Sequence, residues 1–333
     1  MVSVNFMEAA ALGGTLCRYV GAAEIVEQFF PPRLQQAFLN GQVQPERVAE
    51  IRCRRDRPVL VQLAGGEEIA LRLGGEPVLL DGETLAQMVQ RINQSSVYAW
   101  EEEYRRGYLT LAGGHRVGLA GKALLEQGEI RTMKNISSLN FRIAHEVLGA
   151  ADEVMPYICQ QGQTVRNTLL VAPPGCGKTT LLRDITRQLS DGVPPVWPYG
   201  VNVGLVDERS ELAGTVAGAA QLQVGRRTDI LDGCPKSEGM QMLIRAMAPQ
   251  VIVTDEIGTM ADVQAMQNAL NAGVAVITSI HGRQWSDLEG RAYLQPLLEQ
   301  HFFQCLIFLS NRHGAGTVER VLTWRDNDYV PWK

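Results

Sequence analysis

The sequence predicts two folded parts: a smaller α+β domain over residues 1–148, then an α/β domain with a mainly parallel sheet over residues 149–333. Three observations carry this. Beyond residue 148, short apolar runs alternate with helical stretches: Thr168–Ala172, Val201–Val206, Val251–Thr254 and Val274–Ile280. Near-continuous apolar strands suit a parallel sheet buried on both faces. Before residue 148, strand-like segments are instead joined by Gly-Gly pairs, which signal antiparallel hairpins. Finally, 333 residues is a two-domain length, and either half can bury its own core.

Taken in order, residues 1–50 read as helices broken at Pro31-Pro32. Pro58–Ala64 and Glu67–Leu73 form a hairpin through Gly65-Gly66. Asp81–Ser95 is helical, with Leu85, Met88, Val89 and Ile92 on one face. Val97–Arg106 continues as a polar helix in which Glu101 and Arg105 pair at i,i+4. Tyr108–Ala112 and His115–Gly121 flank Gly113-Gly114 as a second hairpin, and Ser138–Ile143 is a short strand. Arg52, Arg54, Arg55 and Arg57 stand together; Ile51 and Cys53 alternate with Arg52 and Arg54, which suits a strand with one wet face, with a subunit contact or nucleic-acid patch as the lesser alternative. In the second half, Gly192–Pro198 is a surface loop, and Cys305–Ser310 and Thr317–Trp324 are the closing strands.

The bulk properties exclude several classes. A net charge of −5 gives no general attraction to nucleic acid or anionic lipid, so no direct nucleic-acid partner is expected. Cysteines at 17, 53, 159, 176, 234 and 305 form no C-x-x-C pair, which argues against a zinc or redox motif and for free thiols in a reducing cytoplasm. The longest apolar runs, such as Ala272–Ile280, fall far short of the ~20 residues that span a bilayer. The N-terminus lacks the basic start of a signal peptide. A cytoplasmic protein is expected, attached to a membrane only through a partner.

The strongest chemical signal is Ala172, Pro173, Pro174, Gly175, Cys176, Gly177, Lys178 and Thr179, which follows a predicted strand and opens a helix beginning Thr179-Thr180-Leu181-Leu182. Phosphate binding needs that order, because loop and helix-start N–H groups point at the anion. The glycines let the backbone curl around phosphate. Lys178 reaches the β- and γ-phosphates, and the Thr179 hydroxyl ligates Mg²⁺. This is a P-loop, so the second domain is expected to be RecA-like, with ATP and Mg²⁺ as its ligands. Val251–Glu256 is the expected companion: Asp255 holds the Mg²⁺ water shell and Glu256 polarises the attacking water.

Other candidates are less specific. Asp207 and Glu208 end another strand and could position water or metal. His281 ends a further one; it could bond the γ-phosphate or carry its state to a neighbouring subunit. Arg226 and Arg227, in a glycine-flanked loop, could supply charge to a γ-phosphate in cis or across an interface. Lys236 and Glu238 receive no role.

Phosphate loop, acidic box, Asp-Glu strand and histidine box together resemble the secretion-superfamily ATPases. The wording around Leu169–Asp184, Val206–Gly214, Arg227–Lys236 and Ile280–Gly282 is closer still to the stage III sporulation protein AA family. So are Glu50–Arg54, Gly113–Gly118 and Ser138–Ile143. The resemblance implies an ATPase working in the mother cell of a sporulating bacterium. There it would energise a channel to the forespore and sit at the membrane through integral-membrane partners. It carries Lys178 and Thr179 onto the phosphate loop, Asp207 and Glu208 onto the acidic box, Glu256 onto the catalytic glutamate and His281 onto the histidine box. Ile257-Gly258-Thr259 stands where secretion motors have Arg-Asp, and Val274 where they have a first histidine. It also implies a homo-oligomer, a hexameric ring whose ATP sites are completed by a neighbour's arginine. Arg105, Arg106, Arg116 and Arg142 are candidates, with Arg116 first because it follows a hairpin tip. Two other readings stand beside the motor: a nucleic-acid-handling ATPase, disfavoured by the acidic charge, and a nucleotide-gated adaptor with little turnover, disfavoured by Glu256.

Overall fold

The computed structural model of the protein describes residues 21–40, 43–94, 104–105, 107–160, 164–325 and 328–332. Cys17, Glu101, Arg106 and most of the helix expected over Val97–Arg106 lie outside them. The chain divides into two compact units. One runs up to Gly107 and resumes over Gly118–Phe141; the other holds Tyr108–Val117 and everything from Arg142 onward. The division therefore falls a few residues before the expected boundary at 148. It also moves the first turn of the second hairpin, Tyr108–Val117, into the second unit.

In the first unit, the helix Ala22–Phe29 buries Ala22, Ile25, Val26 and Phe29, the one-face spacing of 3.6 residues per turn. The chain breaks at Pro31, and Pro32 starts the next helix, Pro32–Leu39, where a missing N–H costs nothing. Strands β1 (Val48–Arg54), β2 (Leu60–Leu63) and β3 (Glu68–Ala70) form an antiparallel meander. Gly65 and Gly66, both at positive φ, make its expected turn. Ile51 and Cys53 are buried, and Arg52 pairs with Glu50 at 2.7 Å. β4 (Arg72–Leu73) and β5 (Glu76–Pro77) are a minor pair. The helix Gly82–Gln94 buries Leu85, Met88 and Ile92. Asp81 caps it, accepting from the Thr84 N–H at 2.7 Å. After β6 (Tyr108–Thr110), which goes with the second unit, β7 (Arg116–Glu126) and β8 (Glu129–Arg142) form one long hairpin. It turns at Gln127-Gly128, both at positive φ. The sheet of this unit runs β3-β2-β1-β8-β7. Phe29 and Phe30 pack on Phe141, ring centroids 6.3 and 4.9 Å apart.

The second unit has its own small hairpin, β9 (Cys159–Gln160) with β10 (Thr164–Val165), and one large sheet. The sheet's strands are β11 (Thr168–Ala172), β12 (Val203–Asp207), β13 (Thr228–Asp232), β14 (Val251–Glu256), β15 (Ala275–His281), β16 (Cys305–Ser310), β17 (Thr317–Arg325) and β18 (Asp328–Pro331). Their order is β13-β12-β14-β15-β11-β16-β17-β18. The first six are parallel; β17 is added antiparallel to β16, and β18 antiparallel to β17. β13 and β18 were not read from the sequence: β13 is only half-buried, and β18 is a short edge strand.

Every residue of β11 and β12 is buried. Alternate side chains feed two cores, as period-2 geometry requires. Leu170 and Ala172 join the helix Lys178–Asp191 through Leu181, Leu182, Ile185 and Leu189. Leu169 and Val171 join the core holding Met240 and Leu243 of the helix Lys236–Met247, and Val263 and Met266 of the helix Met260–Asn271. Burying each such side chain is worth about 1.5–3 kcal/mol, so the sheet centre is a rigid platform. In the loop expected over Gly192–Pro198, Trp197 is buried and donates to Leu189 O at 3.1 Å, which pins the loop to the helix end.

Candidate nucleotide site

All six parallel strands finish at one edge, and that edge gathers the expected groups: the phosphate loop after β11, Asp207 at β12, Asp255 and Glu256 at β14, and His281 at β15. Between Ala172 and Lys178 the chain turns through Gly175 (φ 75°) and Gly177 (φ 79°), the left-handed region that glycine adopts freely. At Gly177 space adds a second reason. A Cβ there would stand 2.9 Å from Gly316 N, whose N–H donates to Cys176 O at 3.0 Å. The first i→i−4 bond of the helix is Leu181 N–H to Gly177 O, 2.9 Å. The N–H groups of Lys178, Thr179 and Thr180 precede it and form, with the positive helix end, an anion-binding surface. A Cβ at Gly175 would meet nothing within 4 Å, so the loop's outer side has room for phosphate. Pro173, Thr179 and Thr180 are half-buried, and Pro174 is exposed.

The Lys178 Nζ donates to Ala172 O (3.0 Å) and Pro173 O (3.1 Å) and lies 2.9 Å from His281 Nδ1. Strand pairing explains this, because β15 lies beside β11 with His281 opposite Ala172. The other imidazole nitrogen, Nε2, is 2.7 Å from Glu256 Oε2. One neutral tautomer satisfies both contacts: Nδ1 accepts from the ammonium, and Nε2–H donates to the carboxylate. A Lys178–His281–Glu256 chain thus crosses three neighbouring strands. Burial pushes the Lys178 ammonium below its usual pKa, against the opposing pull of the Glu256 charge.

A second constellation adjoins it. Lys236, at the start of its helix, forms ion pairs with Glu208 and, at 3.1 Å, with Asp255. Burial pushes the Asp255 carboxyl up to about 6, with Lys236 pulling the other way. For Lys236 burial acts downward, but its ties to the two acids leave its pKa raised. Glu208, Lys236, Asp255, Glu256 and His281 all line one cavity of about 510 Å³. The loop beyond Glu256 is held by a capping box. Asp262 accepts from the N–H groups of Gly258 (3.1 Å) and Thr259 (3.0 Å), and Thr259 Oγ1 accepts from the Asp262 N–H.

Four expected residues are taken up by structural partners instead. Asp207 is fully buried, and its two oxygens accept from the N–H groups of Glu211 (2.8 Å), Leu212 (2.9 Å) and Ala213 (2.8 Å). It shapes the loop after β12 and is not among the cavity's lining groups. Burial raises its pKa, with those N–H groups acting the other way. Arg116 does not project from a tip. The Gly113-Gly114 turn packs against the same unit, with Gly113 N–H 3.3 Å from Gln221 Oε1 and Gly114 against Leu222. The Arg116 guanidinium pairs with Glu211 and lies 3.7 Å from the centroid of the Tyr108 ring. Arg226 pairs with Asp191, and Arg227 donates to Ser190 O. Both therefore sit at the far end of the helix Lys178–Asp191, roughly 20 Å from Lys178 at 1.5 Å per residue, which removes a role in cis. Cys176 is only 3% exposed, its thiol in the core.

Sequence reasoning left Lys236 without a role and passed over Arg183 and Asp184. Arg183 donates to Leu212 O (2.7 Å), Glu211 O (2.7 Å) and His145 O (3.2 Å). Asp184 accepts from Ala151 N–H at 2.9 Å. Together they tie the phosphate-loop helix to its surrounding loops. The available signal was a charged pair on the buried side of an amphipathic helix.

The sheet order, the P-loop and the strand-end acids define the fold of the secretion-type P-loop ATPases. ATPase DotB of Yersinia pseudotuberculosis matches with TM-score 0.56 at 12% identity, over 90% of this chain and 81% of its own. The pilus retraction motor PilT with bound ADP matches with TM-score 0.50 at 15% identity, over 78% of this chain and 73% of its own. More specifically, the chain belongs to the family described as sporulation stage III, protein AA, whose model matches residues 22–328. Stage III sporulation protein AA of Bacillus subtilis (strain 168) is 44% identical over 278 residues, 82% of this chain and 86% of that protein. The uncharacterized protein ycf45 of Cyanidium caldarium is 31% identical over 149 residues, 44% of this chain and 41% of its own.

Proposed function

We propose that this protein binds MgATP over the phosphate loop and hydrolyses it as a motor-type ATPase. The Lys178–His281–Glu256 chain carries the reading, since it joins a phosphate-binding lysine to a carboxylate that can take a proton from water. The N–H groups of residues 178–180 receive phosphate oxygens, and Lys178 supplies fixed positive charge at the β- and γ-phosphates. His281 donates to Glu256 and holds its carboxylate in orientation. Thr179 and Asp255 would hold Mg²⁺, Asp255 through its water shell; the ion, when bound, neutralises charge on the β,γ-oxygens. The PilT structure that shares this fold has ADP bound, which supports a nucleotide as the ligand.

Membership in the sporulation family supports the wider role. The active unit is a homo-oligomer, most simply a hexamer, in the mother cell. It is recruited by integral-membrane proteins and energises a channel complex toward the forespore. Among the described residues no helix is long and apolar enough to cross a membrane.

The test compares wild type with K178A and E256Q. Titration with a fluorescent ATP analogue should show affinity lost in K178A and kept in E256Q. Phosphate release should fall about 10²–10⁴-fold in E256Q, the usual cost of a lost general base. Equal affinity in K178A and wild type refutes the site. Light scattering with and without ATP reads the oligomer. In a sporulating cell carrying the K178A allele, normal spore yield would sink the channel role.

A further inference from the structure

We infer that Lys236 recognises the terminal phosphate of the bound nucleotide from within the same chain. The inference rests on the nucleotide reading above and extends it to how ATP is told from ADP. Lys236 follows Pro235 at the start of its helix, and its side chain is only 8% exposed. A lysine so buried needs partners, and it has two: Glu208 just past β12, and Asp255 Oδ1 near the end of β14, at 3.1 Å. An ammonium has three N–H donors, and with a hydrogen bond to Glu208 and an ion-pair contact to Asp255 at least one is left for a further acceptor.

Position makes the γ-phosphate that acceptor. The phosphate loop follows β11, and the Lys178–His281–Glu256 chain runs from there across β15 to β14. Lys236 lies one step further along the same direction, bridging β14 to β12. Phosphates seated on the loop meet Lys178 first, and only the group at the distal end reaches Lys236. The lining charges point the same way. Glu208, Asp255, Glu256 and Asp262 face the cavity, against Lys236 and an exposed Arg209. A terminal phosphate entering among four carboxylates is repelled unless cations stand on that side; Mg²⁺ would offset part of that charge, and Lys236 is the buried cation the chain itself supplies there. In this arrangement Glu208 and Asp255 aim the ammonium, and the phosphate takes its remaining donor. Loss or gain of that contact at the ends of β12 and β14 then reports whether the γ-phosphate is present.

The experiment titrates the full chain, with Mg²⁺, against ADP and a non-hydrolysable ATP analogue. Wild type, K236M, K236R and K178A are compared. K178A should lose both nucleotides. K236M should keep ADP affinity and bind the ATP analogue about 10- to 100-fold more weakly, the loss expected for a charge-assisted hydrogen bond. K236R should restore part of the preference. A lysine that merely ties two strand ends predicts equal losses for both nucleotides, and that result overturns the inference, as does an unchanged ATP-to-ADP preference. A wild type that binds neither nucleotide removes the underlying reading, a failure visible before any Lys236 variant is measured. If K236M does not fold, K236M/E208Q removes one of the two stranded acids with the cation and is read by the same ratio.

Discussion

Replacing His281 with alanine tests whether the imidazole acts through Glu256. The ring bridges Lys178 Nζ at 2.9 Å and Glu256 Oε2 at 2.7 Å. In H281A, Lys178 keeps its two carbonyl partners, so ADP affinity should change little. Glu256 loses the donor that orients it. A hydrogen bond to a charged group is worth about 1.5–3 kcal/mol. The His281 and Glu256 side chains are 40% and 36% exposed, so water replaces part of the loss and the lower end applies. About 1.5 kcal/mol is roughly a tenfold fall in kcat. Steady-state phosphate release measures it, alongside titration with a fluorescent ADP analogue. The double variant H281A/E256Q sharpens the test. If the imidazole works only by orienting the carboxylate, the double variant should be no slower than E256Q alone. Wild-type kcat in H281A, or a full multiplicative loss in the double variant, would refute the reasoning.

Asp207→Asn leaves one of its two carboxylate oxygens unable to accept, so at least one buried N–H among Glu211, Leu212 and Ala213 loses its partner; denaturant unfolding should show a loss of about 1–3 kcal/mol. Among the described cysteines, a maleimide should label Cys234 first in the native protein. Cys53, Cys159, Cys176 and Cys305 are buried, and burial pushes the thiols of Cys159 and Cys305 up to about 12, so they should react only after denaturation. Fast native labelling of Cys176 would contradict its burial. Asp81→Ala should cost about 0.5–2 kcal/mol as a lost helix cap. The Thr84 N–H holds the Asp81 carboxyl below its usual 3.8, so this stabilisation is present above that pH and fades as pH falls through the lowered folded value. Wild type and D81A stability curves should therefore converge in acid, and a gap that persists there would be inconsistent with a carboxylate cap.

Much of the sheet was legible because it is the part governed by burial. β11, β12, β14 and β15 are continuous apolar runs, and such runs at the centre of a parallel sheet have few alternatives. Where burial is partial, the pattern fails. β13 alternates too weakly to be told from a loop, and the middle of the β7–β8 hairpin is largely exposed and mixes apolar with polar residues without a period of two, so only its two ends were read as strands. Residues 108–117 illustrate a different limit. A Gly-Gly turn signals a hairpin, but nothing local says which core its tip meets. Leu222, which receives Gly114, is more than a hundred positions away in sequence.

The site divides along the same line. A phosphate loop is a local object whose strand, glycines, lysine and helix start are adjacent in sequence, so Lys178 and its neighbours could be named together. The cations around it are not local. An arginine in a sequence is a charge without a partner, whereas in the structure Arg116, Arg183, Arg226 and Arg227 each have one: Glu211, the loop carbonyls, Asp191 and Ser190 O. Those ties make them braces of the second unit. Lys236 shows the converse. Its segment, Gly-Cys-Pro-Lys, carries no chemical signature, yet folding sets it between two strand-end acids and inside the cavity that Glu256 and His281 also line. A positive charge enclosed by carboxylates is stable there without a ligand, and in the role inferred for it would already be aimed when a phosphate arrives, which is the preorganisation that phosphoryl transfer requires.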